Sequence, residues 1–360
     1  MLTNFDFQIT VADPGVFCVH KNGHLLILAV HVDDCMLTSD SAEMIAEFKE
    51  KLNNCYALTD LGPIHWLLGI KITRNRTART ISLSQTAYID DVIKRFALTE
   101  AKPYATPMIP GAIYSKKDAP ASPEESVRMK NTPYREVVGS LMYAAIATRP
   151  DIAYAVSALS QFLDNPGDAH WQAVKCVLRY LIGTRSHELT YGGERHDLEG
   201  YTDADGGMQE HRKAVSGYAF ILDSGAVSWS SKKQELVTLS TAEAKYVTAT
   251  HTAKEAIWLC QLLSDIYPLA PTCIPLLCDN QAAIKLATND NYHARTKHIN
   301  VRYRFIRQTV KQGEIALAYC PTEDMVADVL TKALPRWKVV AHALSLGVCR
   351  VCGGVVQNVS

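Results

Sequence analysis

From Leu198 onward the hydrophobic pattern switches between two periods, and the order of those switches constrains the fold more than any other feature of the chain. Leu198–Thr202, Ala214–Leu222 and Ala226–Ser230 carry the two-residue alternation of strands. Thr241–Leu263 carries the 3.6-residue period of a long helix. Ile274–Cys278 reads as a short strand, and a helix starts at Gln281. Asn300–Lys311 is a further helix, Ile315–Cys320 a strand and Met325–Ala333 a last helix. The order βββ-α-β-α-α-β-α predicts a mixed-sheet α/β unit over 196–335.

The region before it reads differently. Val16–His20 and Leu25–Val32 flank Asn22-Gly23, the residue pair that a two-residue type I′ hairpin turn favours. Ser41 can cap a helix over Ser41–Leu52, with Met44, Ile45, Phe48 and Leu52 on one face. Trp66–Thr73 and Thr80–Leu83 read as strands and Thr86–Phe96 as a helix. Six of the fifteen prolines fall between Pro103 and Pro133, which predicts a linker or an extended wrap. Three helices follow: Tyr134–Thr148, one starting at Pro150, and Asp168–Ile182 with Asp168 as cap and Gly183 as stop. The expected division is therefore 1–100, 101–195 and 196–335, with a tail, 336–360, that carries no acidic residue and no clear pattern.

Composition excludes several classes. Charged residues make up 21% of a chain that is 48% hydrophobic, which is not the balance of a disordered protein. The longest apolar run, Leu25–Val30, is far too short to span a bilayer, so no membrane association is expected. No basic n-region and apolar h-region follow Met1, so an intracellular location, cytoplasmic or nuclear, is expected. Ten cysteines in 360 residues do not make a disulfide scaffold. Cys349 and Cys352 have ligand spacing, but a lone C-x-x-C with no second pair falls short of a zinc site.

Four carboxylates of the last unit fall where chemistry could use them. Asp203 ends the first strand, Glu243 lies in the first turn of the long helix, Asp279 ends the fourth strand, and Asp328 lies inside the last helix. Asp203 and Asp279 also suit ordinary strand-end turns, and Asp279 suits a helix cap. Ser240-x-x-Glu243 also suits a capping box. Asp328 sits among Met325, Val326, Ala327, Val329 and Leu330, and a carboxylate buried there needs a partner or a metal. Hydrolysis of a phosphodiester favours two divalent cations about 4 Å apart. Magnesium takes hard oxygen ligands, so several carboxylates must converge.

These stretches have a family resemblance. Gly200-Tyr-Thr-Asp-Ala-Asp, Ser228-Trp-Ser-Ser-Lys-Lys-Gln, Leu239-Ser-Thr-Ala-Glu-Ala-Lys-Tyr, Cys278-Asp-Asn-Gln-Ala-Ala-Ile, Arg295-Thr-Lys-His-Ile and Tyr319-Cys-Pro-Thr-Glu-Asp-Met-Val-Ala-Asp-Val-Leu-Thr-Lys resemble, in order, the ribonuclease H domain of copia-type retrotransposon polyproteins. The resemblance implies that Asp203, Glu243, Asp279 and Asp328 are the catalytic carboxylates. They would bind two magnesium ions, with manganese as the alternative metal. Asp205 is the second candidate for the first position. Gly206 stands where family members commonly carry Trp, and residues 321–324 lack the His that cellular ribonucleases H carry in that loop.

The zero net charge hides a basic segment. Residues 291–313 contain Arg295, Lys297, Arg302, Arg304, Arg307 and Lys311, and no acid. Arg304, Arg307 and Lys311 share a helical face, while Val301, Phe305 and Val310 can face a core. Such a face is either simply solvated or, beside a carboxylate cluster, a phosphate-backbone contact. His298 is a further backbone candidate, and Gln281 a candidate for base edges or 2′-hydroxyls.

In the first region, His31-Val32-Asp33-Asp34 places paired aspartates between two strands. With Ala12-Asp-Pro-Gly-Val-Phe, Thr59-Asp-Leu-Gly, Leu68-Gly-Ile-Lys-Ile, Lys102-Pro-Tyr-Ala-Thr-Pro-Met, Val138-Gly-Ser-Leu-Met-Tyr and Arg149-Pro-Asp-Ile-Ala-Tyr-Ala-Val, it resembles the reverse transcriptase palm and connection of the same family. The resemblance makes Asp33 and Asp34 metal ligands of an incomplete polymerase site. His31 replaces the family's usual Tyr, and the strand bearing the third carboxylate would lie upstream of Met1. The expected fold class is thus α/β: an α+β palm fragment, a helical connection and a ribonuclease H-like mixed-sheet domain. The expected activity is two-metal cleavage of the RNA strand of an RNA–DNA hybrid, without DNA polymerisation by this chain alone. The resemblance also implies an RNA–DNA hybrid and other retroelement polyprotein products as partners. A non-catalytic remnant or nucleic-acid-binding module, and a polymerase completed in trans, are the alternatives.

Overall fold

A computed structural model describes the chain except for residues 1–5, 57, 194–195, 206–212, 239, 268–272, 289–299, 353–354 and 357–360. The first sheet is built from tight hairpins. β1 (Gln8–Ile9), β2 (Val16–Lys21), β3 (His24–His31) and β4 (Asp34–Ser39) lie in sequence order, each antiparallel to the next. Asn22 and Gly23 both have positive φ, 53° and 81°, as a type I′ turn requires. α1 (Ala42–Cys55) starts where Ser41 Oγ accepts the Met44 N–H. Phe48 and Leu52 of α1 pack on Phe7, Val19, Leu26 and Leu28, which gives this sheet its own core.

The stretch expected to be one strand over Trp66–Thr73 is instead a hairpin. β5 (Trp66–Leu67) and β6 (Ile70–Asn75) are joined at Leu68 and Gly69, both at positive φ. β7 (Thr80–Ser84) and α2 (Thr86–Arg95) follow. The proline-rich stretch contains a short helix, α3 (Pro123–Lys130), capped by Ser122, with Pro123 at the first turn where its missing N–H costs nothing. α4 (Tyr134–Ala147) precedes α5 (Ala153–Leu159), which is entered through a 3₁₀ turn at Pro150–Ile152. α6 (Asp168–Gly183) is capped by Gly167 rather than Asp168, and the Gly167 N–H donates to His170 Nδ1.

Three distant segments meet in a six-stranded sheet. β8 (His187–Gly192) pairs with β7 on one side. On the other it pairs with the C-terminal strand Val348–Cys352, which is itself continued by Val355–Val356. The segment beyond residue 335 had no pattern in the sequence; it holds this pairing and a helix over Arg336–Ser345. A single hydrophobic core runs from α2, α4, α5 and α6 through β8 to Val339, Leu346 and Val348.

The remaining strands form a mixed sheet. β9 (Glu199–Asp205), β10 (Val215–Leu222) and β11 (Gly225–Lys233) are antiparallel neighbours. α7 (Thr241–Ile266) crosses over to β12 (Ile274–Cys278). β12 is parallel to β9 on one side and to β13 (Ile315–Tyr319) on the other. α8 (Gln281–Thr288) and α9 (Asn300–Lys311) connect β12 to β13. The strand order is β11-β10-β9-β12-β13. The expected helix over Met325–Ala333 is only a 3₁₀ turn, Val326–Leu330, before α10 (Arg336–Ser345) and the terminal strands β14 (Val348–Cys352) and β15 (Val355–Val356).

Candidate active site

Sheet register fixes the first two carboxylates. Cys278 of β12 lies opposite Thr202 of β9 in a parallel pair. The next residues, Asp203 within β9 and Asp279 just past the end of β12, therefore lie side by side on adjacent inner strands. α7 packs across β9, β10 and β12. Lys245, Thr248 and Thr252 follow the i, i+3, i+7 spacing of one helix face, and Thr252 Oγ1 meets Thr202 Oγ1 at 3.0 Å. Lys245 reaches the carboxylates from this face. Its Nζ donates to Asp203 Oδ1 at 2.6 Å and also to Asp279 Oδ1.

The 3₁₀ turn brings the third carboxylate. Gly217 of β10 lies opposite Asp203, and a Cβ there would come within 2.6 Å of Thr331 and 2.9 Å of Leu330. Only a glycine lets the turn sit this close to the sheet. Thr331 Oγ1 donates to Asp203 Oδ2 at 2.7 Å. Asp328, in the same turn, is fully buried, and neither of its oxygens accepts a hydrogen bond of good geometry among the described residues. Lys332 Nζ lies 2.8 Å from Asp328 Oδ1 and Lys338 Nζ 3.9 Å from Oδ2, both as ion pairs. Thr322 Oγ1 donates to Asp279 Oδ2 at 3.2 Å.

The charges act on one another. Burial opposes ionisation of Asp203, but Lys245 and then Lys332 outweigh it and hold the carboxyl below its ordinary range. Burial, and next the neighbouring Asp203 carboxylate, push Asp328 up to about 6. Burial alone would lower Lys245, yet Asp203 and Asp279 hold its ammonium well above its ordinary value.

The other residues named from the sequence fall in different settings. Glu243 is buried in the first turn of α7, and its N–H donates to Ser240 Oγ at 3.2 Å, so it takes part in a helix cap. No three His, Cys, Asp or Glu side chains among the described residues are grouped tightly enough to hold one metal ion. The acidic groups that do approach one another are Asp203 with Asp328, and Asp203 with Asp279 through Lys245. Gln281 is exposed at the start of α8. On α9, Arg304 and Lys311 are exposed, whereas Arg307 Nε donates to the Leu286 carbonyl and ties α9 to α8. Phe305 and Val310 pack inward, as the helical pattern predicts. Arg295, Lys297 and His298 lie outside the described residues. Asp33 and Asp34 sit on the exposed tip of the β3–β4 hairpin, where Val32 holds a φ of 53°. That conformation is costly for a β-branched residue.

Lys245, Thr331 and Gly217 carried no role in the sequence reading. Gly217 did have a signal: an isolated glycine inside a strand pattern marks a bulge or a close approach. Lys245 sits between apolar and small residues, and nothing local marks its partners.

The chain is similar to known proteins along most of its length. Residues 1–110 match the family described as Reverse transcriptase (RNA-dependent DNA polymerase). The retrovirus-related Pol polyprotein from transposon TNT 1-94 of Nicotiana tabacum is 45% identical over 331 residues, 91% of this chain and 25% of that protein. The corresponding polyprotein from transposon RE1 of Arabidopsis thaliana is 36% identical over 97% of this chain and 23% of its own length. A protein of Saccharomyces cerevisiae named for transposon Ty5-1 is 33% identical over 66% of this chain and 80% of its own length. Among solved structures, LC11-RNase H1 from compost aligns over 38% of this chain and 92% of its own, at 15% identity and a TM-score of 0.29. That likeness is too weak to weigh in the fold, which rests on the strand order itself. The chain belongs to the copia-type retrotransposon Pol family, and its N-terminal part is of the reverse transcriptase family. It spans about a quarter of the length of the two plant Pol polyproteins. No helix among the described residues is long and apolar enough to cross a membrane.

Proposed function

We propose that the mixed-sheet unit is a ribonuclease H that cleaves the RNA strand of RNA–DNA hybrids with divalent metal. The observation that carries this reading is Asp328, a fully buried carboxylate beside Asp203 whose oxygens lack well-formed hydrogen bonds. A buried carboxylate is costly unless cations complete its surroundings; Lys332 at 2.8 Å and Lys338 at 3.9 Å supply two single charges, at positions that a divalent ion would share or take over. The donor set is all hard oxygen, which fits magnesium or manganese rather than a softer metal. No three of these side chains converge on one point, so on the family pattern Asp203 with Asp328 would hold one ion and Asp203 with Asp279 the other, with Glu243 as the fourth carboxylate. When bound, a metal pair lowers the pKa of a water for attack and neutralises the leaving oxygen.

The chain's own residues do the positioning. Thr331 orients Asp203 and Thr322 orients Asp279, each by donating to one oxygen, so that the other, which Lys245 meets, is directed at a cation. Arg304 and Lys311 on α9 would meet the phosphate backbone, and Gln281 a shallow minor groove. The hybrid is the substrate of this reading, and other polyprotein products are its candidate partners. The test is incubation of the purified chain with a labelled hybrid and magnesium beside Asp203→Asn. Cleavage is expected from the native chain and a loss of at least about a hundredfold from the variant. Equal background cleavage by both would overturn the assignment and leave a nucleic-acid-binding module. Equally fast cleavage of single-stranded RNA would overturn the hybrid as substrate.

A further inference from the structure

Lys245 occupies a cation seat made of two oriented carboxylates. Its side chain is only 12% exposed, and its ammonium bridges Asp203 Oδ1 and Asp279 Oδ1. The second oxygen of each aspartate is already taken, by Thr331 and Thr322. Both carboxylates therefore direct their remaining oxygen at the same point, and a lysine of the chain fills it. Asp328 differs. It is fully buried and faces Asp203, and Lys332 reaches one of its oxygens, at 2.8 Å, from a partly exposed position. The site thus has one cation position filled by a buried ammonium that bridges two carboxylates, and another, at Asp328, met by the more exposed ammonium of Lys332.

We propose that Lys245 is a built-in competitor for divalent metal at the position between Asp203 and Asp279, so that one ion enters at Asp203 and Asp328 and the second must displace this lysine. The proposal rests on the metal-dependent reading above. Its physical basis is that two carboxylates favour a divalent ion over a single positive charge, but the ion must break two charge-assisted hydrogen bonds to enter. The long stem of Lys245 is attached to α7 and has several rotatable bonds, so the ammonium can withdraw without moving the helix. Lys245 sets how much metal the second position needs. It is a positioning residue and takes no part in bond making.

Calorimetric titration of the metal-free chain with manganese tests this, on the native chain, Lys245→Met, Lys245→Arg and Asp203→Asn. The native chain is expected to bind one ion more tightly than a second. Lys245→Met is expected to tighten the weaker step by about tenfold, a coupling of ordinary size. Lys245→Arg keeps the charge and is expected to stay within about threefold of the native weak step. Asp203→Asn is expected to lose both steps. Circular dichroism and a thermal melt of each variant, with and without manganese, show that the titrations report folded protein. If Lys245→Met fails to fold without metal, a rise in its melting temperature on adding manganese that exceeds the native rise supports the same competition. Unchanged affinity in Lys245→Met, with metal still binding, would overturn the role of Lys245 and leave the metal reading standing. Absence of manganese binding by every folded chain would overturn both.

Discussion

Asp328 is held ionised only at a cost, and the cost has a defined pH window. Its carboxyl ordinarily titrates near 3.8, and in the folded chain burial and Asp203 raise this to about 6. Between those values the folded state holds more protons than the unfolded one, so stability falls as pH rises through the window. Below it the group is neutral in both states and costs nothing; above about 6 the whole cost is present. Asp328→Asn removes the charge for good. In chelator at pH 8, this variant is expected to be more stable than the native chain by about 1–3 kcal/mol, and near pH 4 to differ little. Denaturant melts at the two pH values check this; a destabilised variant at pH 8 would show that Lys332 and Lys338 more than offset the cost. The burial of Asp328 was legible in the sequence, because apolar neighbours on both sides leave it no solvated face. Its partner Lys338 was not, since it reaches Asp328 from the following helix, whereas Lys332 stands at the local i+4 spacing.

At the scale of elements, the site depends on how closely the 3₁₀ turn rests on the sheet. Gly217 sets that distance, and the turn carries both Asp328 and Thr331. Gly217→Ala forces Thr331 and Leu330 outward, which is expected to cost about 1–3 kcal/mol in a denaturant melt, as overpacked cores do. Because Thr331 orients Asp203, cleavage should fall by more than the fraction of chain left unfolded. Activity in proportion to the folded fraction would argue that the turn moves without disturbing Asp203. The order of strands and helices in this unit was readable, because each long element has an unambiguous period. The last helix was not: Met325–Ala333 has helical spacing, but buried Asp328 and the close sheet hold it to one 3₁₀ turn. The Leu68–Gly69 turn was missed for the reverse reason, since a continuous apolar run hid a two-residue reversal.

At the scale of the whole molecule, the C-terminal segment changes what the chain's regions mean. Val339, Leu346 and Val348 belong to the same core as α4, α5 and α6, and β14 covers the edge of β8. Lys338 of the same segment faces Asp328. Truncation after residue 335 is therefore expected to abolish the cooperative thermal melt and to leave the chain aggregating, because it opens a sheet edge and a core face together. A truncated chain that still melts cooperatively within a few degrees of the native one would contradict this. The N-terminal sheet is tied to the far end of α7. Asp265 Oδ2 accepts the Val11 and Ala12 N–H groups at 2.7 and 3.1 Å, and Trp258 Nε1 donates to the Ala12 carbonyl at 3.0 Å. Such contacts, 246 to 254 residues apart in sequence, leave no periodic trace. By itself the sequence determined the order of the long elements of the mixed-sheet unit, the Asn22-Gly23 hairpin turn and four acidic candidates, because period, turn chemistry and flanking apolarity are local. Tertiary structure alone decided that Asp203 and Asp279 lie side by side, that Lys245 bridges them, and that the C-terminal segment completes the core. Those depend on strand register and on side chains meeting across long separations, where the chain carries no local signal.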